Sequence, residues 1–208
     1  FLSFHRQVLQ ENLPDMLVYV NGAKCIGIEA VRVTVEVDIV PGIGIHLVGL
    51  ADTAVKESLL RTITALQSLE FHIPGKKIVI NLAPADLHKN GSGYDLPIAL
   101  GIIAASGQRS LPLLENYVVM GELGLDGSVR MVPGALPVAD YARKAGFSGC
   151  ILPRESAFEA MEYRDTKVYG VHSLMEVLDI LGGEMDHPEL LIWNSQECQD
   201  KDQSRSAV

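Results

Sequence analysis

Alternating apolar and polar residues between positions 30 and 40 form the clearest pattern in the chain. In the run AVRVTVEVDIV every second residue is Val or Ile, and Arg32, Thr34, Glu36 and Asp38 stand between them. Side chains of a strand point alternately to its two faces, so this pattern predicts a strand with one buried face. The polar face is then either an assembly surface or the wet face of an antiparallel pair.

Helical spacing of apolar residues follows from position 53. Val55, Leu59, Ile63, Leu66 and Leu69 recur every three or four residues, and they predict an amphipathic helix that Asp52 or Thr53 can cap. Residues 96–105 are apolar nearly all round and predict a buried helix with Asp95 as its cap. Further helices are predicted over 135–145, over 156–163, and from the capping box Ser173-x-x-Glu176 to Gly182-Gly183.

Short strands are predicted between these helices. They cover residues 43–48, 77–82, 117–123, 128–132, 149–152 and 167–169. Residues 16–21 and 24–29 are predicted to form a hairpin around Asn21-Gly22, because Asn-Gly is the strongest two-residue hairpin signal. Early hairpins and a later irregular alternation of strands and helices predict the α+β class, with a mixed β-sheet and packed helices.

The predicted domain covers residues 16–183. Residues 1–15 fit the pattern poorly and are interpreted as an extension outside the fold, since Met16 opens the first strand pattern. Residues 184–208 hold six of the 26 acidic residues and only two basic ones. We interpret them as an acidic tail or as the start of a linker.

Composition and charge exclude some classes of protein. A chain of 208 residues that is 48% hydrophobic can bury a sizeable core, and no run of 18 apolar residues suggests a membrane span. The net charge of −9 argues against an independent basic nucleic-acid-binding module. Nearly half of that charge lies in residues 184–208, however, so the net charge is weak evidence about the rest of the chain. Three scattered cysteines without a C-x-x-C pair, and no signal-peptide order, predict a cytoplasmic protein.

Common cofactor and catalytic motifs are absent from the sequence. There is no phosphate-binding G-x-x-x-x-G-K-[ST] loop, no G-x-G-x-x-G and no G-x-S-x-G. None of the six histidines stands at ligand spacing from another histidine or a cysteine, which argues against a zinc site. We therefore expect no cofactor-binding or metal site in this fragment.

Three long motifs carry a resemblance to a known family. They are residues 48–58 (VGLADTAVKES), residues 81–97 (NLAPADLHKNGSGYDLP) and the pair 121–127 (GELGLDG) and 132–137 (VPGALP). Together they resemble the N-terminal domain of the ComM/YifB group of bacterial proteins, which are called Mg-chelatase-like AAA+ ATPases. The resemblance implies a Lon-protease-like fold, of the ribosomal-protein-domain-like kind, over about 16–183. The C-terminal domain of the RadA recombination protein shares this fold.

The resemblance also bears on peptidase chemistry. Lon-type peptidases use a Ser-Lys dyad in which the lysine takes the serine proton, so both residues must be present. Matching the motifs places Gly93 at the nucleophile position and Pro137 at the lysine position; Ser92 reaches the first position only with one residue of slippage. We expect no catalytic residue here and regard Ser92 as a poor nucleophile candidate. A displaced dyad that uses His88 or Lys89 as the base is the remaining alternative.

The function implied by the resemblance is that of a non-catalytic assembly and interaction domain. A following AAA+ module would bind ATP and Mg²⁺, and the full-length enzyme would form a hexameric ring that acts on DNA, as in ComM branch migration during natural transformation. The alternatives are a serine peptidase with a displaced Lon-type dyad and a magnesium-chelatase-related role. The candidate contacts to DNA or to neighbouring subunits are Lys56, Arg61, Lys76, Lys77, Lys89 and Asn90. The other explanation for these groups is an ordinary solvated surface.

Overall fold

A computed structural model describes residues 17–49, 51–162 and 166–193. The strands in these ranges are β1 (Val18–Ile26), β2 (Glu29–Val40), β3 (Ile45–Val48), β4 (Lys77–Ala83), β5 (Tyr117–Val119), β6 (Glu122–Leu123), β7 (Val129–Arg130), β8 (Gly149–Pro153), β9 (Lys167–Val171) and β10 (Leu191–Trp193). The α-helices are α1 (Thr53–Ser68), α2 (Asp95–Ala105), α3 (Ala135–Lys144), α4 (Arg154–Ala157) and α5 (Leu174–Gly182). Among the described helices, none combines the length and the apolar character that crossing a membrane would require.

Eight strands form one mixed sheet in the order β10-β9-β8-β5-β1-β2-β4-β3. Strands β1, β2 and β4 are antiparallel neighbours, whereas β5, β8 and β9 run parallel and extend the sheet from β1. Strands β6 and β7 pair separately as a small hairpin. The predicted class, a mixed sheet with packed helices, is confirmed.

The alternating pattern of β2 produces one apolar face, as predicted. Val33, Val35 and Val37 have no exposed surface, and the polar residues between them are half-buried. Helix α2 packs on this apolar face at Gly101. A Cβ built there would overlap Val37 Cγ2 and lie 3.2 Å from Val37 Cβ. The absence of a side chain at Gly101 therefore sets how closely the buried helix approaches the sheet.

The predicted hairpin at Asn21-Gly22 is wrong. Both residues lie inside β1, where they pair with Thr34 and Val33 of β2, and the chain turns after Ile26 instead. Asn21 is only 2% exposed, and its side-chain amide donates to the Glu115 carbonyl at 3.0 Å, which satisfies this buried polar group inside the sheet. Tertiary hydrogen bonding thus overrides the local turn signal.

The predicted domain end at 183 is also wrong. Strand β10 pairs with β9, so the sheet continues beyond α5. Leu190 is buried, and a Cβ at Gly170 of β9 would lie 2.8 Å from Ile192 Cγ1, so this glycine lets β10 pack closely. Leu190 therefore belongs to the core, and Leu191 and Ile192 pack against it, despite the acidic residues before them. The predicted extension 1–15 and residues 194–208 lie outside the described residues.

Candidate functional site

The three sequence motifs meet at the loop between β4 and α2. The Gly121 N–H donates to the Gly93 carbonyl at 3.0 Å, and the Leu96 N–H donates to the Gly121 carbonyl at the same distance. On the other side, the Asp52 N–H donates to the Lys89 carbonyl at 3.2 Å. Backbone hydrogen bonds thus join segments that lie far apart in the sequence into one site.

Gly93, the predicted match to the nucleophile position, packs against apolar side chains. A Cβ at this residue would lie 2.8 Å from Met120 Cε and 3.7 Å from Val132 Cγ1. Met120 is itself held in place, because its sulfur accepts the Ala23 N–H at 3.3 Å. Gly93 therefore offers no reactive side chain, and a side chain at this position would require the terminal methyl of Met120 to move.

The hydroxyl of Ser92, the residue before Gly93, is hydrogen-bonded to a carboxylate. Its Oγ donates to Glu122 Oε2, and the other oxygen of Glu122 lies 3.9 Å from Arg130 Nη1. At the predicted match to the lysine position, α3 carries Pro137, whose side chain has no proton acceptor. The structure thus pairs Ser92 with Glu122 and not with an amine.

Lys89 differs from the expectation for a loop residue, because it has no exposed surface. Its ammonium donates to the Pro84 carbonyl, and burial lowers the pKa of Lys89, with Asp86 acting in the opposite direction. A buried side chain of this kind closes its own loop, so the prediction of Lys89 as a surface contact is corrected. The His88 carbonyl accepts a hydrogen bond from the Lys24 ammonium, so β1 also holds this loop.

Asp95 is the centre of a buried polar cluster. Its carboxylate has no exposed surface and accepts hydrogen bonds from Arg61 Nε at 2.9 Å, Arg61 Nη2 at 3.2 Å, the Leu123 N–H at 3.1 Å and Ser58 Oγ. Burial raises the pKa of the Asp95 carboxyl above its ordinary value, and the hydrogen bonds from Arg61 and Ser58 oppose that rise. The cluster ties α1, α2 and β6 together.

The predicted cap role of Asp95 is wrong, since the cap position of α2 is Tyr94 and Asp95 is the first helical residue. Sequence reasoning missed the cluster. The available signal was the polar stripe Ser58, Arg61 and Thr62 on one face of α1, at the three- and four-residue spacing that places side chains together. Thr62 completes the cluster by donating to the Asp95 carbonyl at 3.3 Å.

The remaining predicted contacts lie at separate places on the fold. Lys56 is exposed on α1, Lys76 and Lys77 stand at the start of β4 with Lys77 half-buried, and Asn90 is exposed in the loop. Arg61 is only partly available, because its guanidinium binds Asp95. Within residues 17–49, 51–162 and 166–193, no three metal-ligating side chains converge on one point.

Comparison with known proteins identifies the family. Residues 35–156, more than half of the chain, match the family model described as subunit ChlI of Mg-chelatase. The chain therefore belongs to this Mg-chelatase-like family, as the three motifs predicted.

Named relatives agree with this assignment. Competence protein ComM of Haemophilus influenzae is 38% identical over 173 residues, which cover 83% of this chain and 34% of ComM. YifB of Escherichia coli is 46% identical over 131 residues, or 62% of this chain and 26% of YifB. A Lon protease of Halothermothrix orenii is 30% identical over 73% of this chain and 21% of its own length, in agreement with the predicted Lon-protease-like fold. The chain spans about a third or less of each relative.

Proposed function

We propose that this chain is a non-catalytic assembly and interaction domain of a larger AAA+ ATPase. The observation that carries the proposal is the Gly93 position, which lacks a nucleophile and is packed against Met120. Pro137 at the lysine position and the bond from Ser92 to Glu122 support it. A Lon-like frame without its dyad retains surfaces for binding but not the proton transfer that peptide hydrolysis needs.

The whole protein, in this proposal, is an ATP- and Mg²⁺-dependent motor that forms a hexameric ring on DNA in the cytoplasm. Support comes from the similarity to ComM, whose name describes a competence protein, and from the length of ComM that this chain leaves unmatched. Exposed Lys56, Lys76 and Asn90, together with Lys77, are the proposed contacts to DNA or to neighbouring subunits. A few lysines facing a pore suffice for such guidance in an acidic protein.

The test of the non-catalytic role uses the purified 208-residue chain. We expect no ATP hydrolysis and no labelling of Ser92 by a fluorophosphonate probe, with Ser92→Ala as the matched control. ATP hydrolysis by this chain would contradict the proposal. Labelling that disappears in Ser92→Ala would instead support a peptidase with a displaced dyad.

The test of the ring uses the full-length protein, sized with ATP and with or without duplex DNA. We expect an ATP-dependent hexamer and a further shift with DNA. The substitutions Lys76→Ala and Lys77→Ala should weaken DNA binding and lower its salt dependence, whereas Lys144→Ala on α3 should not. If the wild type forms no ring and shows no shift with DNA, the motor proposal is refuted.

A magnesium-chelatase-related role is the second candidate, because the family model carries that description. ATP-dependent insertion of Mg²⁺ into a porphyrin by the full-length protein, without any response to DNA, would favour it over the DNA motor.

A further inference from the structure

The dipeptide Asn-Gly occurs twice in the sequence, at Asn21-Gly22 and at Asn90-Gly91. This dipeptide is chemically labile, because the backbone nitrogen of the second residue can attack the side-chain carbonyl carbon of the asparagine. Glycine carries no Cβ that would hinder the attack. The attack also requires that the backbone nitrogen and the asparagine side chain are free to approach each other. The surroundings of the two pairs therefore decide which of them reacts.

Asn90-Gly91 lies open in the loop between β4 and α2. Both residues are exposed, and a Cβ built on Gly91 would meet no atom within 4 Å. Gly91 has a φ of +84° and lies in a bend outside the helices and strands. Among the described residues, neither the Gly91 N–H nor the Asn90 side-chain amide has a hydrogen-bond partner. Both reacting groups are therefore accessible to each other and to water.

Asn21-Gly22 has the opposite environment inside β1. Both residues are buried, and Gly22 stands opposite Val33 in the ladder between β1 and β2. The Asn21 amide nitrogen donates to the Glu115 carbonyl at 3.0 Å, and the amide oxygen accepts from Arg32 Nη2 at 2.8 Å. The side-chain amide is thus held on both sides and the backbone is fixed in a strand. Reaction at Asn21 therefore requires that the strand opens first.

We propose that Asn90 is a site of spontaneous deamidation, which converts it to aspartate and isoaspartate in the folded protein. The Gly91 nitrogen bonds to Asn90 Cγ and gives up its proton, and the side-chain nitrogen leaves as ammonia, so that a succinimide ring closes. Water then opens the ring. Addition at Cγ breaks the new bond and yields aspartate, whereas addition at the main-chain carbonyl carbon yields isoaspartate, in which the backbone runs through Cβ and Cγ. Water is the co-reactant, and nothing is oxidised or reduced.

The products change a loop that is anchored on both sides of Asn90. The Lys89 carbonyl accepts the Asp52 N–H at 3.2 Å, and the Gly93 carbonyl accepts the Gly121 N–H at 3.0 Å. Isoaspartate lengthens the backbone between these anchors, and either product adds a negative charge at residue 90. The reaction therefore modifies the segment that joins the three sequence motifs. It does not depend on the proposed function, since it needs only the folded chain and water.

The test follows deamidation in the folded 208-residue chain at mildly alkaline pH by peptide mass spectrometry. Cleavage after Lys24 and Lys89 puts Asn21 and Asn90 on separate peptides, and a sample taken at the start gives the background. We expect Asn90 to deamidate at least about tenfold faster than Asn21, because reaction at Asn21 waits for strand opening. Equal rates at the two residues, or an Asn90 that stays intact while the unfolded chain reacts, would overturn the proposal.

Unfolding and two variants separate the effect of structure from that of sequence. In urea the rates at Asn21 and Asn90 should become similar, since both dipeptides are then exposed, and a difference that persisted unchanged would refute the structural argument. Gly91→Ala adds a Cβ into open space and should slow deamidation at Asn90. Asn90→Gln should leave residue 90 unconverted, because the ring that it would have to close is larger. Deamidation at the wild-type rate in either variant would refute the succinimide route.

Discussion

Replacing Asp95 by Ala tests the buried cluster most directly. The change removes the acceptor for three groups: the Arg61 guanidinium, the Ser58 hydroxyl and the Leu123 N–H. Ser58 and Leu123 have no exposed surface, so water cannot replace the lost bonds without opening the packing between α1, α2 and β6.

The magnitude follows from what remains buried. Removing one partner of a buried ion pair typically costs about 3–5 kcal/mol, and a buried donor left without an acceptor costs about 1–3 kcal/mol. The Arg61 side chain is 25% exposed and can turn partly towards water. We therefore expect a loss near the lower end, about 3 kcal/mol of unfolding free energy.

The assay is urea unfolding of the 208-residue chain at neutral pH, with the midpoint and slope measured for each variant. The matched control is Asp179→Ala. It breaks an ion pair with Arg109 at 2.8 Å whose side chains are 48% and 42% exposed, so we expect a loss below about 1 kcal/mol. If Asp95→Ala cost no more than Asp179→Ala, the cluster would not stabilise the fold as reasoned here.

Two further predictions concern packing and pH. Replacing a glycine in a helix interior by alanine ordinarily raises the free energy of unfolding by about 1 kcal/mol. At Gly101 the added Cβ would overlap Val37, so we expect Gly101→Ala to lower the free energy of unfolding, measured in urea, by about 1–3 kcal/mol. Val37→Ala should recover part of this loss, and a gain from Gly101→Ala alone would contradict the packing argument. Hydrogen bonds from Lys144 and Arg143 lower the pKa of Asp140. The ionised carboxylate therefore stabilises the fold above about pH 4, and this stabilisation is lost as the pH falls through the lowered pKa. The thermal midpoint of the wild type should thus fall more steeply below about pH 4 than that of Asp140→Asn; parallel curves would refute this.

Local pattern was sufficient where a single periodicity described a whole element. The alternation in β2, the helical spacing of α1 and the apolar α2 were all predicted close to their observed bounds. Asp52 or Thr53 was predicted to cap α1, and the Asp52 carboxylate is the group that accepts a hydrogen bond from the Val55 N–H, at 2.8 Å. These features depend on neighbours a few residues apart, so the chain alone contains the information.

Predictions failed where distant segments supplied the decisive contact. Asn21-Gly22 has the composition of a turn, yet the Glu115 carbonyl and β2 hold it inside a strand. Asp95 is of a residue type that often caps helices, yet α1 brings Ser58 and Arg61 to its carboxylate.

The sequence by itself determined the main elements, the mixed-sheet class and the family, because these follow from residue identity and short-range periodicity. The absence of a peptidase dyad stays a prediction. Only the tertiary structure decided that Met120 packs against Gly93, that Lys89 is buried, and that Ser58 and Arg61 meet at Asp95. Burial and hydrogen-bond partners depend on which distant segments pack together, and no local pattern specifies them.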